Sequence, residues 1–210
     1  MQIARSLALC VCSLFLLAAC APMPSKVTAA DTKPRKIAIF FDGTANDPVS
    51  DTNVKKLHSI VTLQANPAIA TFYIEGVGAN SKPIGMATGW GLGERVRKAY
   101  VFLLEQYRPG DEIYIFGFSR GAYSARILAA LLYYAGVPHA DGKTPEDLAD
   151  KLYAAYKGAQ DNRQERIKAE FRELGMGQLE PKPAPVKVLG LWDTVEALGW
   201  PDYEEEFDSP

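Results

Sequence analysis

The pentapeptide at residues 117–121, GFSRG, constrains the fold more than any other part of this sequence. It follows the apolar run 112–116, which predicts a buried strand because a turn signal, residues 109–111, precedes it. Residues 122–135 are rich in Ala, Leu and Tyr and predict a helix that Gly136 ends. A G-x-S-x-G pentapeptide between a strand and a helix is the context of a nucleophile elbow, a sharp turn that exposes the serine hydroxyl.

Ser119 is therefore a candidate nucleophile for acyl transfer. Gly117 and Gly121 flank it and carry no side chains that would collide with the neighbouring backbone. The alternative interpretation is a glycine-rich strand-to-helix turn in which the serine only caps the helix.

Strands and helices alternate along the sequence. Strands are predicted at 36–41, 69–75, 112–116 and 186–192, and helices at 52–64, 94–107, 122–135 and 145–174, the last capped by Thr144. The strands are apolar without alternation, which is typical of a parallel sheet covered on both faces. The glycine-rich residues 76–93 predict a long loop, either a mobile loop over a site or a plain surface loop.

The N-terminus has the pattern of a secretory signal over residues 1–19. Arg5 supplies the positive charge, and the apolar run 7–17 is too short to span a membrane as a helix. The signal ends in LAAC at residues 17–20, which resembles a bacterial lipobox. That resemblance implies that Cys20 becomes the first mature residue and carries acyl chains; the alternative is an ordinary cleavable signal.

Lipid attachment at Cys20 would anchor the mature protein to a membrane by more than one chain. Ala21 is not the aspartate that retains enterobacterial lipoproteins in the inner membrane, so the resemblance implies the periplasmic face of the outer membrane. Residues 20–35 are predicted to be a tether, and residues 36–210 to be the folded domain. Cys20 is the only cysteine outside the signal, which excludes an intrachain disulfide in the mature chain.

Composition narrows the classes of partner. The net charge of −2 gives no basic surface that would indicate nucleic-acid binding. Residues 85–93 contain no G-x-G-x-x-G motif between a strand and a helix, so the sequence predicts no dinucleotide or other cofactor. It predicts no metal site and gives no indication of an oligomeric state.

Asp193 is the candidate acid of a catalytic triad. An acyl-transfer serine needs a base to take its proton and an acid to orient that base. In α/β-hydrolases the order along the chain is serine, acid, histidine, and Asp193 directly follows the predicted strand 186–192. The alternative is that Asp193 caps a following helix.

Five segments together resemble an uncharacterised α/β-hydrolase domain family: residues 41–44 (FDGT), 75–78 (EGVG), 110–114 (GDEIY), 117–126 (GFSRGAYSAR) and 191–195 (LWDTV). Known members of this family include phospholipase effectors of bacterial type VI secretion. The resemblance covers residues 35–199 and implies an α/β-hydrolase-like three-layer sandwich with a mostly parallel sheet. It also implies hydrolysis of a carboxylic ester, above all of a lipid or phospholipid.

The same resemblance implies roles for individual residues. Ser119 matches the family nucleophile and Asp193 the triad acid. The general hydrolase pattern places an oxyanion hole at the backbone N–H groups of Arg120, Gly43 and Thr44.

Asp42 has a different expected role. An aspartate followed by Gly-Thr after a first strand is also found in haloacid-dehalogenase phosphatases, but these need a second aspartate where this chain has Phe40. We therefore expect the Asp42 carboxylate to hold the turn at residues 43–44 by accepting hydrogen bonds from backbone amides.

The sequence lacks a histidine at the place of the triad base. Family members carry one well downstream of the Trp-Asp-Thr motif, whereas this sequence contains only His58 and His139. We expect a C-terminally incomplete hydrolase that lacks its last strand or strands. Residues 186–192 are apolar enough for burial on both faces, yet no later segment could pair with them, which would leave an unprotected apolar edge if this strand lies outermost. The alternative is a natural member without catalysis. Hydrolysis is expected to be weak or absent, and the alternative function is a non-catalytic envelope lipoprotein that uses the fold to bind.

Overall fold

A computed structural model describes residues 34–44, 46, 49–76, 91–158 and 162–195, all within one compact unit, Pro34–Pro210. The predicted signal, Cys20, the tether up to residue 33, most of the glycine-rich segment and the residues after 195 lie outside the described part.

The described residues form four strands and five helices. The strands are β1 (Lys36–Phe41), β2 (Ile69–Ile74), β3 (Glu112–Phe118) and β4 (Val186–Trp192). The helices are α1 (Asn53–Leu63), α2 (Leu92–Gln106), α3 (Arg120–Tyr134), α4 (Pro145–Lys157) and α5 (Arg163–Glu173). Every predicted strand is confirmed, and the helical region predicted at 145–174 consists of two helices. Thr144 caps α4 as predicted, because its hydroxyl accepts the N–H of Asp147 at 3.1 Å.

All four described strands are parallel, in the order β2-β1-β3-β4. The carboxyl ends of the strands therefore meet at one edge of the sheet, which we call the carboxyl edge, and the amino ends at the opposite amino edge. Each helix that follows a strand directly begins at the carboxyl edge, so chemistry placed at these turns converges there.

Helices cover both faces of the sheet. One face carries Ala38 and Phe40 of β1, which pack against Val54 of α1. The other face carries Ile37 and Ile39, which belong to the larger core that α2 and α3 cover and that α4 and α5 extend. The fold is a three-layer α/β sandwich, as predicted.

β4 is less covered than the other strands. It lies at an edge of the described sheet, where Val188 is 42% and Leu189 is 40% exposed. The apolar edge that the sequence led us to expect for an outermost strand is therefore present among the described residues. An apolar sequence shows what a strand can bury, whereas its position in the sheet decides what is covered.

An ion pair at the amino edge joins the segments that precede β1 and β3. Asp111 is buried, and its Oδ2 lies 2.7 Å from Nη2 of Arg35. The backbone N–H groups of Arg35 and Arg108 each donate to the same carboxylate at 3.0 Å. The carboxylate joins the residue before β1 to the residue before β3.

Among the described helices, none has the combination of length and apolar character needed to cross a lipid bilayer.

Candidate active site

Ser119 occupies a strained turn between β3 and α3. Its backbone has φ 55° and ψ −126°, a conformation that residues other than glycine rarely adopt and that costs about 1–3 kcal/mol. Ser119 stands at the N-cap position of α3, but its side chain makes no capping hydrogen bond. The capping alternative therefore has no support in the structure, and the geometry is that of a nucleophile elbow.

The two glycines of the pentapeptide allow this turn to pack tightly. A Cβ atom on Gly117 would lie 2.5 Å from the carbonyl oxygen of Gly121, within the turn itself. A Cβ atom on Gly121 would lie 2.5 Å from the carbonyl oxygen of Asp42 and 2.7 Å from the carbonyl carbon of Phe41. The start of α3 therefore lies directly against the end of β1. Because the neighbours are backbone atoms, they cannot move aside for a side chain at residue 121.

The backbone of Ser119 is also joined to the end of β4. Its N–H donates to the carbonyl of Trp192 at 2.9 Å, and its carbonyl accepts the N–H of Val195 at 3.3 Å. Phe118 and Trp192 are register partners, so Ser119 and Asp193 follow them at the same edge of the sheet. The structure thus brings the two predicted triad residues to neighbouring strand ends.

Asp193 has φ 43°, a second residue other than glycine in the left-handed region at this edge. Its side chain is exposed. The role of Asp193 as the acid stays a prediction, and the helix that it was alternatively expected to cap would fall after residue 195, outside the described residues.

Asp42 lies at the end of β1, fully buried. Its Oδ1 accepts the N–H of Gly43 at 2.8 Å, and its Oδ2 accepts the hydroxyls of Thr52 and Tyr73, each at 2.7 Å. The predicted turn-holding role is confirmed for the Gly43 amide.

This bond bears on the predicted oxyanion hole. The Gly43 N–H already donates to the carboxylate of Asp42. Of the three predicted donors, the N–H groups of Thr44 and Arg120 are therefore better placed to bind an oxyanion. Arg120 is the first residue of α3, where a backbone N–H has no acceptor within the helix. Gly121 holds this helix start against the residues that precede Thr44.

Arg95 is a site residue that the sequence reasoning missed. It belongs to the first turn of α2, is 6% exposed, and its Nη2 donates to the carbonyl of Asp42 at 2.6 Å. Burial lowers the pKa of Arg95 to about 10, with nearby Asp42 raising it and Arg120 lowering it, so the guanidinium stays charged at neutral pH. The available signal was its position on the buried stripe of α2, beside Leu92, Val96 and Ala99, where a charged residue is unexpected.

Neither histidine lies at the elbow. His58 is half-buried on α1, its ring 5.2 Å from the rings of Phe40 and Tyr73, and its pKa is lowered by burial and by Lys55. His139 follows the far end of α3, a 15-residue helix about 22 Å long. Its side chain is 90% exposed near Asp141. Ser119 and His139 therefore lie near opposite edges of the sheet.

The described residues contain no group of three or more His, Cys, Asp or Glu side chains that could hold a metal ion.

Comparison with known proteins agrees with this geometry. An uncharacterized protein of Saccharomyces cerevisiae, YEL023C, is 26% identical over 188 residues, which cover 79% of this chain and 27% of the yeast protein. This chain thus spans about a quarter of that relative's length. No solved structure matches the chain. The family described as "T6SS, Phospholipase effector Tle1-like, catalytic domain" matches residues 35–208. Since that match extends over most of the sequence, this chain belongs to the family of Tle1-like catalytic domains of type VI secretion phospholipase effectors.

Proposed function

We propose that this chain is a serine acyl hydrolase domain that acts on lipid esters, with Ser119 as nucleophile and Asp193 as the acid. The family of phospholipase effectors supports a lipase-like hydrolase in general. The specific assignment to a serine mechanism depends on one observation: Ser119 holds an unfavourable backbone conformation without using its side chain as a cap. Strain of this kind persists where a structure holds a reactive group in place.

The expected chemistry has two parts. The Ser119 hydroxyl oxygen adds to the ester carbonyl and gives its proton to solvent, while the Arg120 and Thr44 N–H groups stabilise the negative charge that develops on the carbonyl oxygen. The C–O bond to the alcohol then breaks, the alcohol leaves with a proton from solvent, and water releases the acyl group from Ser119 as a carboxylic acid. Because neither His58 nor His139 lies beside Ser119, proton removal by a histidine of the described residues is not part of the proposal. Loss of a triad member lowers turnover by about 10⁴–10⁶, so hydrolysis by this chain is expected to be slow.

A fluorophosphonate probe tests the nucleophile directly, because it forms a covalent bond with an activated serine. Because no histidine base is assigned to Ser119, we expect the chain to be labelled slowly, Ser119→Ala to lose the label and Ser124→Ala to keep it. Ser124 is a matched control, since it lies on the same helix and donates to the carbonyl of Arg120 at 3.2 Å. Equal labelling of all three proteins, or none in the unsubstituted chain, would overturn the proposal.

A second candidate function is a non-catalytic binding module. The placement of both histidines away from Ser119 favours it. It predicts that a lipid ester binds without Ser119-dependent cleavage, so any release of fatty acid that Ser119→Ala abolishes would exclude it.

Anchoring and location are separate proposals. The LAAC sequence at residues 17–20 supports lipid attachment at Cys20 and a position at the periplasmic face of the outer membrane. Bacteria fed an alkyne fatty acid should incorporate it into the chain and retain the chain in the outer-membrane fraction. Cys20→Ser should abolish both; incorporation that survives this substitution would place the modification elsewhere.

A further inference from the structure

We propose that the carboxylate of Asp193 is the base for Ser119 in this chain, and that the proton passes between them through one water molecule. The carboxylate thus takes over the step that a catalytic triad gives to histidine. This inference rests on the proposed function, because it concerns the proton of the same hydroxyl. It adds a role for Asp193 that its assignment as an orienting acid does not include.

The backbone holds Asp193 beside Ser119. The Ser119 N–H donates to the carbonyl of Trp192 at 2.9 Å, and the Ser119 carbonyl accepts the N–H of Val195 at 3.3 Å. Asp193 lies between these two attachment points in the chain. Its φ of 43° is in the left-handed region, which aspartate and asparagine adopt more readily than other residues with side chains. The chain therefore turns at the end of β4 and keeps Asp193 at the carboxyl edge, next to the serine.

The Asp193 carboxylate is available to receive a proton. Its side chain is exposed, and it has no hydrogen bond or ion pair with any residue that the structure describes. The aspartate that follows β1, Asp42, is fully buried, and its oxygens already accept one amide N–H and two hydroxyls. A carboxylate occupied in this way takes up a further proton only by losing one of these bonds. Of these two aspartates, Asp193 is therefore the one that can act as a base.

Distance across the sheet favours Asp193 over the glutamate at the end of β2. Asp193 follows β4, the neighbour of β3, so it lies one strand spacing from Ser119, about 4.8 Å. Glu75 follows β2, which is two spacings from β3, about 10 Å. A water that bonds to a hydroxyl and to a carboxylate, each at about 2.8 Å, bridges roughly 5 Å. One bridging water therefore matches the spacing between the ends of β3 and β4.

The proton is conserved through both halves of the reaction. As the Ser119 oxygen adds to the ester carbonyl, its proton passes to the bridging water, and the water gives a proton to the Asp193 carboxylate. The C–O bond to the alcohol breaks, and the same path returns the proton to the leaving oxygen. In the second half, a water loses a proton to Asp193 as it adds to the acyl carbonyl, and Ser119 regains a proton as the carboxylic acid leaves.

The pH dependence of fluorophosphonate labelling tests this role. Exposed carboxyl groups are ionised throughout the range from pH 6 to pH 8, so we expect the labelling rate constant to change less than about twofold there. With hydroxide as the acceptor, the rate constant would instead rise about tenfold per pH unit. In Asp193→Asn we expect this rise, together with a rate constant at pH 7 at least about tenfold lower. Asp141→Asn, which removes an exposed carboxylate near the amino edge, should behave like the unsubstituted chain.

A second variant separates a role in proton transfer from a role in structure. Asparagine and glycine both accept the left-handed conformation at residue 193, so neither substitution strains the turn. In Asp193→Gly, sodium formate should raise the labelling rate at least about fivefold, because it supplies the missing carboxylate. Ser119→Ala should stay unlabelled with formate present.

The outcomes distinguish this inference from the proposed function. Equal rates in the unsubstituted chain and Asp193→Asn, a rise with pH in the unsubstituted chain, or no response of Asp193→Gly to formate would overturn the role of Asp193. Each of these results would leave Ser119 as the nucleophile, provided that Ser119→Ala loses the label. A chain that is not labelled under any of these conditions would overturn both proposals.

Discussion

The two edges of the sheet use arginine in opposite ways. At the amino edge, Arg35 forms an ion pair with the buried carboxylate of Asp111, which accepts two further backbone N–H groups. At the carboxyl edge, Arg95 donates hydrogen bonds only to carbonyl oxygens and lies over the ring of Phe41, and its Nε and Nη1 have no hydrogen-bond partner among the described residues. Arg35 has one buried nitrogen without a partner, its Nε, but its charge is balanced.

The backbone differs in the same direction. Ser119 and Asp193, at the carboxyl edge, both have positive φ without being glycine. Near the amino edge the corresponding position is a glycine, Gly110, with φ 99°. The comparison teaches that one edge is arranged for stability, whereas the other keeps strain and unbalanced charge where a ligand can use them.

The largest expected effect contrasts a glycine of each edge. Gly121→Ala should lower the free energy of unfolding by about 3 kcal/mol, because the new Cβ would lie 2.5 Å from the backbone oxygen of Asp42. Gly110→Ala should lower it by only about 1 kcal/mol, since it meets no atom within 4 Å and adds only positive-φ strain. Urea denaturation measures both free energies of unfolding. Equal losses in the two variants would contradict the tight packing of the elbow on β1.

The next effect contrasts the charged pairs. Asp111→Asn should lower the free energy of unfolding by about 2 kcal/mol, because it leaves the partly buried Arg35 without its counter-charge. Arg95→Met should lower it by about 1 kcal/mol or less, since two of the three guanidinium nitrogens lose no partner. If Arg95→Met lost more unfolding free energy than Asp111→Asn, the carboxyl edge would contribute more to stability than the amino edge, contrary to the comparison.

Acid should affect the amino edge selectively. Burial would raise the pKa of Asp111, but the hydrogen bonds and charge of Arg35 and the Arg108 amide bring it below its ordinary value. The carboxylate therefore stabilises the fold above the unfolded pKa of about 3.9 and loses this effect as the pH falls through the folded pKa. The difference in the free energy of unfolding between the unsubstituted chain and Asp111→Asn should be smaller at pH 3 than at pH 6. A constant difference would show that the carboxylate charge has no part.

The smallest expected effect concerns strain at the elbow. Ser119→Gly should be more stable than Ser119→Ala by about 0.5–1 kcal/mol, because glycine tolerates φ 55° and alanine does not. Thermal melts of the two variants compare them without a change in catalysis, since neither has the hydroxyl. A less stable glycine variant would mean that the turn stores no strain.

Much of the architecture was predictable from local patterns. Apolar runs and turn residues placed all four described strands, and the segment before α4 showed its Thr144 cap. The G-x-S-x-G spacing placed Ser119 at the elbow. The break between α4 and α5 was not predicted, because a helical pattern does not show an interruption. Whether β4 lies outermost was left open, because an apolar strand does not show its position in a sheet.

The site was predictable only where one short segment defines it. The sequence by itself determined the alternation of strands and helices and the turn at Ser119, because these depend on residues close together in the chain. Only the tertiary structure decided that Asp193 ends a strand beside Ser119, that the Gly43 amide is taken by Asp42, and that Arg95 lies buried next to them. These contacts join residues from separate strands and helices, and it is the parallel order of the sheet that brings their ends together.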